Sequence, residues 1–348
     1  MARWRFRRPR TEGRRRWCLA LVAGLLAGCG EGPADRLLTG YQGELAERLA
    51  LPPPAPEAPA NIGAFPERAQ RLFEIPETRE GLLDVFALRG CHIANLVAGR
   101  NNQLGRVAAP SQRWLYELRL WRRLSGCWNR EVPDTLGEGD RQRLARLTRR
   151  KTDQLPRASW NALFASSEWT GSFSRASAPL PPDELDAVDA QLPALAYLRE
   201  ATLHQFDRRW SPDSATLEGH LKRLRDRPLT AELLRALMLA ERRLTEASAL
   251  LETALAESRC PADGAALDQG PQARRLAAWL PRLQAASRRW LAAVGALLDA
   301  QAVAPRPAVA AYRRRWLSLT RAEAPWPALA AARTRHRALA TSLRRHCR

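Results

Sequence analysis

The sequence lacks the short motifs on which the common enzyme classes depend. It contains no Gly-x-Ser-x-Gly elbow, no His-Glu-x-x-His helix, no Cys-x-x-Cys pair and no glycine-rich phosphate loop. Histidine is scarce, with five in 348 residues. Two of these, His92 and His346, adjoin cysteines, but their spacing is not that of chelating ligands. We therefore predict no catalytic residue, no metal site and no cofactor.

Lysine is nearly absent, since only Lys151 and Lys222 occur among 56 basic residues. Such a ratio, with abundant alanine and leucine, is typical of a GC-rich genome, so part of the basicity need carry no function. The alternative is that the net charge of +20 attracts anionic material of the cell envelope, through a field that salt screens. The sequence leaves both interpretations open.

No apolar run reaches the roughly 18–20 residues that a membrane-spanning helix needs. Residues 1–28 instead carry eight arginines and one glutamate, and an uncharged stretch at 17–27 closes on Leu-Ala-Gly-Cys at 26–29. This pattern predicts a signal peptide over residues 1–28. The Leu-Ala-Gly-Cys sequence at 26–29 resembles the lipobox of bacterial lipoproteins, which implies cleavage before Cys29 and a lipid on its thiol. A plain secretory signal is the alternative.

Beyond the signal peptide and Cys29, four cysteines remain, and in an exported protein they predict two disulfides. Three connectivities are possible. We predict Cys91–Cys127 and Cys260–Cys347, because each bridge then stays within one local group of helices.

Helical periodicity continues through almost the whole chain, and no alternating strand pattern competes with it. We predict an all-α, multi-helix bundle without substantial β-sheet. Residues 230–258 and 272–303 each carry an apolar seam and are expected to form a long antiparallel hairpin. Residues 29–65 are interpreted as a lipid-anchored N-terminus with a short helix and a proline-rich spacer, and residues 66–348 as a helical periplasmic domain.

Arginine and amide side chains gather at one predicted corner between two helices. Guanidinium groups there are suited to bind a carboxylate or a phosphate. The alternative is that the amides cap helix ends and the arginines are solvated. The candidate binding residues are Arg100, Asn101, Asn102, Arg106 and Arg113.

A second segment, residues 159–177, alternates aromatic residues with serines. Exposed rings would be typical of a sugar or peptide groove, whereas buried rings would belong to the core. We favour the core, because aromatic side chains contribute most to buried area.

The run Gly-Leu-Leu-Asp at 81–84, Cys91, the residues from Arg100 to Val107 and Pro110-Ser-Gln-Arg113 together resemble a family of proteobacterial proteins, domain of unknown function 3080. The resemblance implies a lipoprotein, and it transfers no functional residues. Gly30 resembles the sorting signal for the outer membrane.

We expect a lipid-anchored protein of the outer membrane that faces the periplasm. It would bind or organise an envelope protein or an anionic envelope component, and no nucleic acid. The alternative is a periplasmic cell-wall hydrolase with Glu168 as its acid.

Overall fold

The computed structural model describes residues 32–78, 80–261, 267 and 269–347. The predicted signal peptide and Cys29 lie outside the described residues. Every regular element in the described part of the chain is helical, which confirms the predicted all-α bundle.

No helix within these ranges is both long and apolar enough to cross a membrane.

Five helices begin with proline at the first helical position, where its missing N–H costs nothing and its fixed φ favours the helix. Two 3-10 turns (Arg89–Cys91 and Val132–Thr135) and a π-helical turn (Arg313–Leu317) lie between helices. In chain order the helices are α1 (Pro33–Arg48), α2 (Arg68–Arg71), α3 (Leu82–Ala87), α4 (Ala94–Asn101), α5 (Gln103–Arg106), α6 (Pro110–Trp128), α7 (Glu138–Phe164), α8 (Ser167–Gly171), α9 (Ala187–Leu203), α10 (Ser214–Arg225), α11 (Leu229–Ala256), α12 (Pro271–Asp299), α13 (Pro307–Tyr312) and α14 (Pro325–His346).

Helix α11 packs lengthwise on α14, and the two helices run in the same direction. Glu252 pairs with Arg335 at 2.7 Å, and further along both helices Cys260 is bonded to Cys347. The predicted hairpin of α11 and α12 is therefore wrong as the main packing, because these two helices contact each other only sparsely. An apolar seam predicts that a helix has a lengthwise neighbour, but it does not say which helix that neighbour is.

The long antiparallel hairpin of this fold is instead formed by α6 and α7, which follow each other in the chain and pack along their length. Trp121 Nε1 donates a hydrogen bond to Thr152 at 2.9 Å across this interface. The hairpin forms one wall of the cavity described below.

Both predicted disulfides are present. The Cys91–Cys127 bridge, with a Cα–Cα distance of 5.2 Å, ties the first 3-10 turn to the end of α6. The Cys260–Cys347 bridge, at 5.5 Å, joins the regions that follow the C-terminal ends of α11 and α14. Each bridge thus connects elements that local sequence alone would not hold together.

The segment 33–65 is part of the helical body, and its interpretation as a spacer is wrong. Helix α1 buries Leu38, and Ile62 beyond the prolines is fully buried. The guanidinium of Arg243, only 3% exposed, pairs with Asp35 at 2.8 Å and donates to the carbonyl of Glu57 at 2.8 Å. Prolines prevent a helix there, but an extended chain still packs when buried donors satisfy its carbonyls.

His336 lies buried between α1, α11 and α14. Its Nε2 is 2.6 Å from the hydroxyl of Tyr41 and its Nδ1 is 3.2 Å from that of Ser248. Since Ser248 donates to the carbonyl of Leu244 at 2.7 Å, its oxygen is left to accept from Nδ1–H, and Nε2 accepts from Tyr41. Burial lowers the pKa of His336 to about 4.

We predict that His336 makes the protein less stable in mild acid. The folded state keeps this imidazole neutral down to about pH 4, whereas the unfolded chain protonates it below its ordinary pKa of about 6.5. Its contribution is complete above pH 6.5 and is lost as the pH falls from 6.5 to 4, by up to about 3 kcal/mol. Urea unfolding at several pH values measures it. His336→Gln should flatten the pH dependence in this window, while the exposed His92→Gln should not; equal slopes in both variants would contradict the assignment.

Candidate binding cavity

A cavity of about 1030 Å³ lies between the α6–α7 hairpin and an irregular stretch of chain that covers it. This stretch, residues 68–108, is called the cover segment below. It contains helices α2 to α5, all of them short, and the extended residues 72–78.

The floor of the cavity follows from the spacing of residues on α7. Leu147, Lys151, Gln154 and Ala158 recur at intervals of four and three, which places them on one face of the helix. Leu147 and Ala158 are apolar, Gln154 carries an amide and Lys151 carries a charge. The α7 side of the cavity is therefore largely apolar and includes one charged group, the ammonium of Lys151.

Side chains of α7 hold the extended part of the cover segment. Asn161 accepts from the backbone N–H of Phe73 at 2.9 Å and donates to its carbonyl at 2.7 Å. Gln154 donates to the carbonyl of Pro76 at 2.8 Å. These bonds satisfy backbone groups that have no helical partner, which is the condition for laying an irregular chain against a bundle.

The helical part of the cover segment is held by the Cys91–Cys127 disulfide and by an ion pair. Arg143 of α7 contacts Asp84 of α3 at 2.7 Å. Covalent and ionic ties thus fix the cover segment at two further points.

The predicted corner of arginines and amides lines this cavity, with the exception of Asn102. Asn102 instead accepts a hydrogen bond from the N–H of Gly105 at 2.7 Å and so caps α5. Glycine is needed at 105, because a Cβ there would lie 2.2 Å from the carbonyl oxygen of Gly99. The turn between α4 and α5 is therefore a tight structural corner as well as a cavity wall.

The three predicted arginines have different environments. Arg100 donates to the carbonyl of Gly105 at 2.8 Å, and Arg113 donates to the carbonyl of Arg106 at 3.0 Å. Both guanidinium groups therefore brace the corner. The exposed guanidinium of Arg106 makes no hydrogen bond or ion pair with any residue that the structure describes. Asn101 also lines the cavity.

Lys151 and Glu117 form an ion pair in the cavity wall, with Nζ 2.9 Å from a carboxylate oxygen. The lysine side chain is 10% exposed, so removing either partner leaves a poorly solvated charge. The neighbouring Tyr116 also lines the cavity, and its pKa is raised to about 12, first by burial and then by the charge of Glu117. At pH 7 its hydroxyl is therefore a neutral hydrogen-bonding group.

Sequence reasoning missed Lys151, Glu117 and Tyr116. A signal was nevertheless present, since Lys151 interrupts an apolar helical face in a chain that otherwise uses arginine almost throughout. An ammonium group is a compact point charge, whereas a guanidinium group is broad and planar. The confined position at residue 151 therefore favours lysine over arginine.

The aromatic segment is core, as favoured from the sequence. Trp160, Phe164, Trp169 and Phe173 are each at most 4% exposed. The carboxylate of Glu168 lies 3.5 Å from Arg225, away from the cavity lining. Glu168, the acid of the alternative hydrolase hypothesis, therefore does not lie in this cavity.

Within the described ranges, no three histidine, cysteine or carboxylate side chains come together in a way that would hold a metal ion.

The model of a protein family described as "Protein of unknown function (DUF3080)" matches residues 38–269, two thirds of the chain. The chain belongs to this family. The matched residues include the cover segment and helices α6 and α7, so the entire cavity lies within the family's region. No curated protein and no solved structure matches the chain.

We predict that Lys151→Met destabilises the fold by about 1–3 kcal/mol, because Glu117 is left as a partly buried charge without its partner. The double variant Lys151→Met/Glu117→Gln should recover part of the loss. Urea denaturation gives both values. The other lysine, Lys222, is the matched control: its side chain is 65% exposed beside Asp226, and Lys222→Met should cost less than about 0.5 kcal/mol. Equal losses at the two lysines would show that the ion pair in the cavity contributes no more than a surface pair.

Proposed function

We propose that this protein is a lipid-anchored binding protein of the cell envelope whose cavity takes an amphipathic anion. The observation that carries the proposal is the composition of the cavity: arginines without a carboxylate partner stand beside an apolar wall.

The charges of the cavity support an anionic group on the ligand. Arg68, Arg100, Arg106 and Arg113 line it, and none of them is ion-paired with a carboxylate in the described part of the chain. Four acidic residues also line the cavity, namely Glu77, Glu80, Asp84 and Glu117. Glu117 is paired with Lys151, and both Glu80 and Asp84 lie within ion-pair distance of Arg143. A ligand carboxylate, sulfonate or phosphate would supply the negative charge that these guanidinium groups lack.

The apolar wall supports a second, hydrophobic part of the ligand. Leu88, Leu120, Leu124 and Leu147 line the cavity and are buried. Such side chains favour an alkyl or aromatic group, and the volume is at the upper end of those usual for small-molecule sites. Together the two linings favour a molecule with an acidic end and an apolar body.

The location of the protein in the envelope is proposed from residues 1–29 and is supported by the two disulfides, which persist in oxidising compartments. Ala34 is the first buried residue in the part of the chain that the structure describes, and three residues separate Cys29 from Pro33. Fully extended, this link spans at most about 14 Å. A lipid on Cys29 would therefore hold the body close to the membrane surface rather than at the end of a spacer.

We predict that 1-naphthyl phosphate binds the protein more tightly than 1-naphthol, which has the same rings without the anion. Arg106→Gln should weaken binding of the phosphate by roughly fivefold and that of the naphthol much less, because only the phosphate offers the guanidinium a charged partner. Isothermal titration calorimetry at two salt concentrations measures both ligands.

Arg275→Gln is the matched control, since Arg275 is an exposed arginine on α12 that does not line the cavity. Equal losses in the two variants would assign the effect to net charge. Equal affinities for the phosphate and the naphthol would overturn the proposed anion site.

We predict that Cys29→Ser abolishes lipidation. Cells grown with a radioactive fatty acid should label the native protein and not the variant, because serine offers no thiolate to alkylate. Mass spectrometry of the purified native protein should find Cys29 as the first residue. Label on the Cys29→Ser protein, or an uncut N-terminus on the native one, would refute the anchor.

A further inference from the structure

Large apolar side chains are exposed at the border of the cavity. Eight such residues are conspicuously exposed in the described part of the chain, and five of them belong to the cover segment. They are named the apolar rim: Leu82 (85% exposed), Leu83 (81%), Phe86 (61%), Leu104 (79%) and Val107 (77%). The other three are less exposed and lie elsewhere, so this concentration is a property of the cover segment.

Helix α3 shows that the exposure is built into the fold. Its Val85, and Leu88 just after it, are buried and line the cavity, while Leu82, Leu83 and Phe86 project from the other side. The helix cannot simply turn over, because Asp84 is paired with Arg143 and the chain is tied to α6 by the disulfide soon afterwards. An apolar outer face is thus held in place, and none of the residues that the structure describes covers it.

The rim is accompanied by positive charge. Residues 79–113 contain five arginines and two acidic residues. The guanidinium of Arg89 lies 5.0 Å from the centre of the Phe86 ring, and Arg106 lies between Leu104 and Val107 in the chain. Both acids, Glu80 and Asp84, are within ion-pair distance of Arg143, so the rim arginines are not neutralised by them.

We propose that the apolar rim docks on an anionic bilayer, with its apolar side chains in the interfacial region and its arginines on lipid phosphates. Apolar tips on short elements, each with an adjacent arginine, match the layered chemistry of a membrane interface. The central part of a protein–protein interface, in contrast, is depleted of charged residues. This docking is independent of the anchor at Cys29 and of any ligand in the cavity.

Vesicle flotation of the full chain tests the proposal. All proteins carry Cys29→Ser, so that an attached lipid is not the cause of binding and any effect of residues 1–31 is common to every sample. The protein should float with vesicles of phosphatidylethanolamine and phosphatidylglycerol, and less with phosphatidylcholine alone. Leu82→Ser/Leu83→Ser/Phe86→Ser should lower the partition coefficient about tenfold.

The control is Leu203→Ser, which removes an exposed apolar side chain far from the cover segment in sequence. It should leave the partition coefficient unchanged, and circular dichroism should show that both variants remain folded. Equal losses in the two variants would overturn the proposal. A rim variant that changes sedimentation but not flotation would assign the surface to a second copy of the chain instead.

A fluorescent probe at the rim tests the same contact directly. An environment-sensitive nitrobenzoxadiazole dye is attached to Leu83→Cys, in a chain that also carries Cys18→Ser and Cys29→Ser, and its emission should shift to the blue with the anionic vesicles. The same dye on Leu203→Cys should not respond. The absence of a shift at position 83 would refute membrane docking. If the labelled Leu83→Cys protein still binds 1-naphthyl phosphate as the native protein does, the cavity proposal stands separately.

Discussion

The cavity depends on hydrogen bonds to the backbone of the cover segment, an irregular stretch that lies against the α6–α7 hairpin. The cover segment offers N–H and C=O groups that no helix or sheet pairs, and burying them without partners would cost free energy for each group. Helix α7 supplies the missing partners through Asn161 and Gln154, and Trp160 Nε1 adds a bond to the carbonyl of Arg71 at 2.7 Å. With these contacts in place, the segment encloses a cavity instead of collapsing onto the hairpin.

The same constraint recurs in the proline-rich residues that precede the cover segment, where the chain is bound to α11 at Glu57. There a buried arginine, Arg243, replaces the amides: it binds the carbonyl of Glu57 and is balanced by Asp35 and Glu246. In both places a long helix provides a few polar side chains that fasten a stretch of chain which cannot be helical. The packed body therefore includes residues that are not helical, and among the described residues it already includes α1.

The proposed functions follow from which side chains the cover segment leaves unsatisfied. Arg100 and Arg113 bind carbonyl groups of the segment, and Arg143 pairs with the carboxylates of Glu80 and Asp84. Arg106 is left with an exposed charge at the cavity. Its buried apolar residues line the cavity, while those of the opposite face form the rim. The binding site for an acidic amphipathic molecule and the docking surface for a membrane of acidic lipids that we propose thus belong to two sides of the same segment.

The sequence by itself determined the helical class and the number of disulfides, because helical periodicity and the count of cysteines are read directly from the chain. The disulfide pairing and the family were predicted from it and are confirmed. It also pointed to the corner at Arg100–Arg113. It did not show that Arg100 and Arg113 bind backbone carbonyl groups there while Arg106 is exposed. Only the tertiary structure decided that α11 runs beside α14, that Arg243 of α11 binds the proline-rich residues at Glu57, and that Lys151 meets Glu117 in a cavity wall. Each of these depends on which of several equally apolar or equally charged surfaces come together, and that choice is made by the packing of the whole bundle rather than by any local pattern.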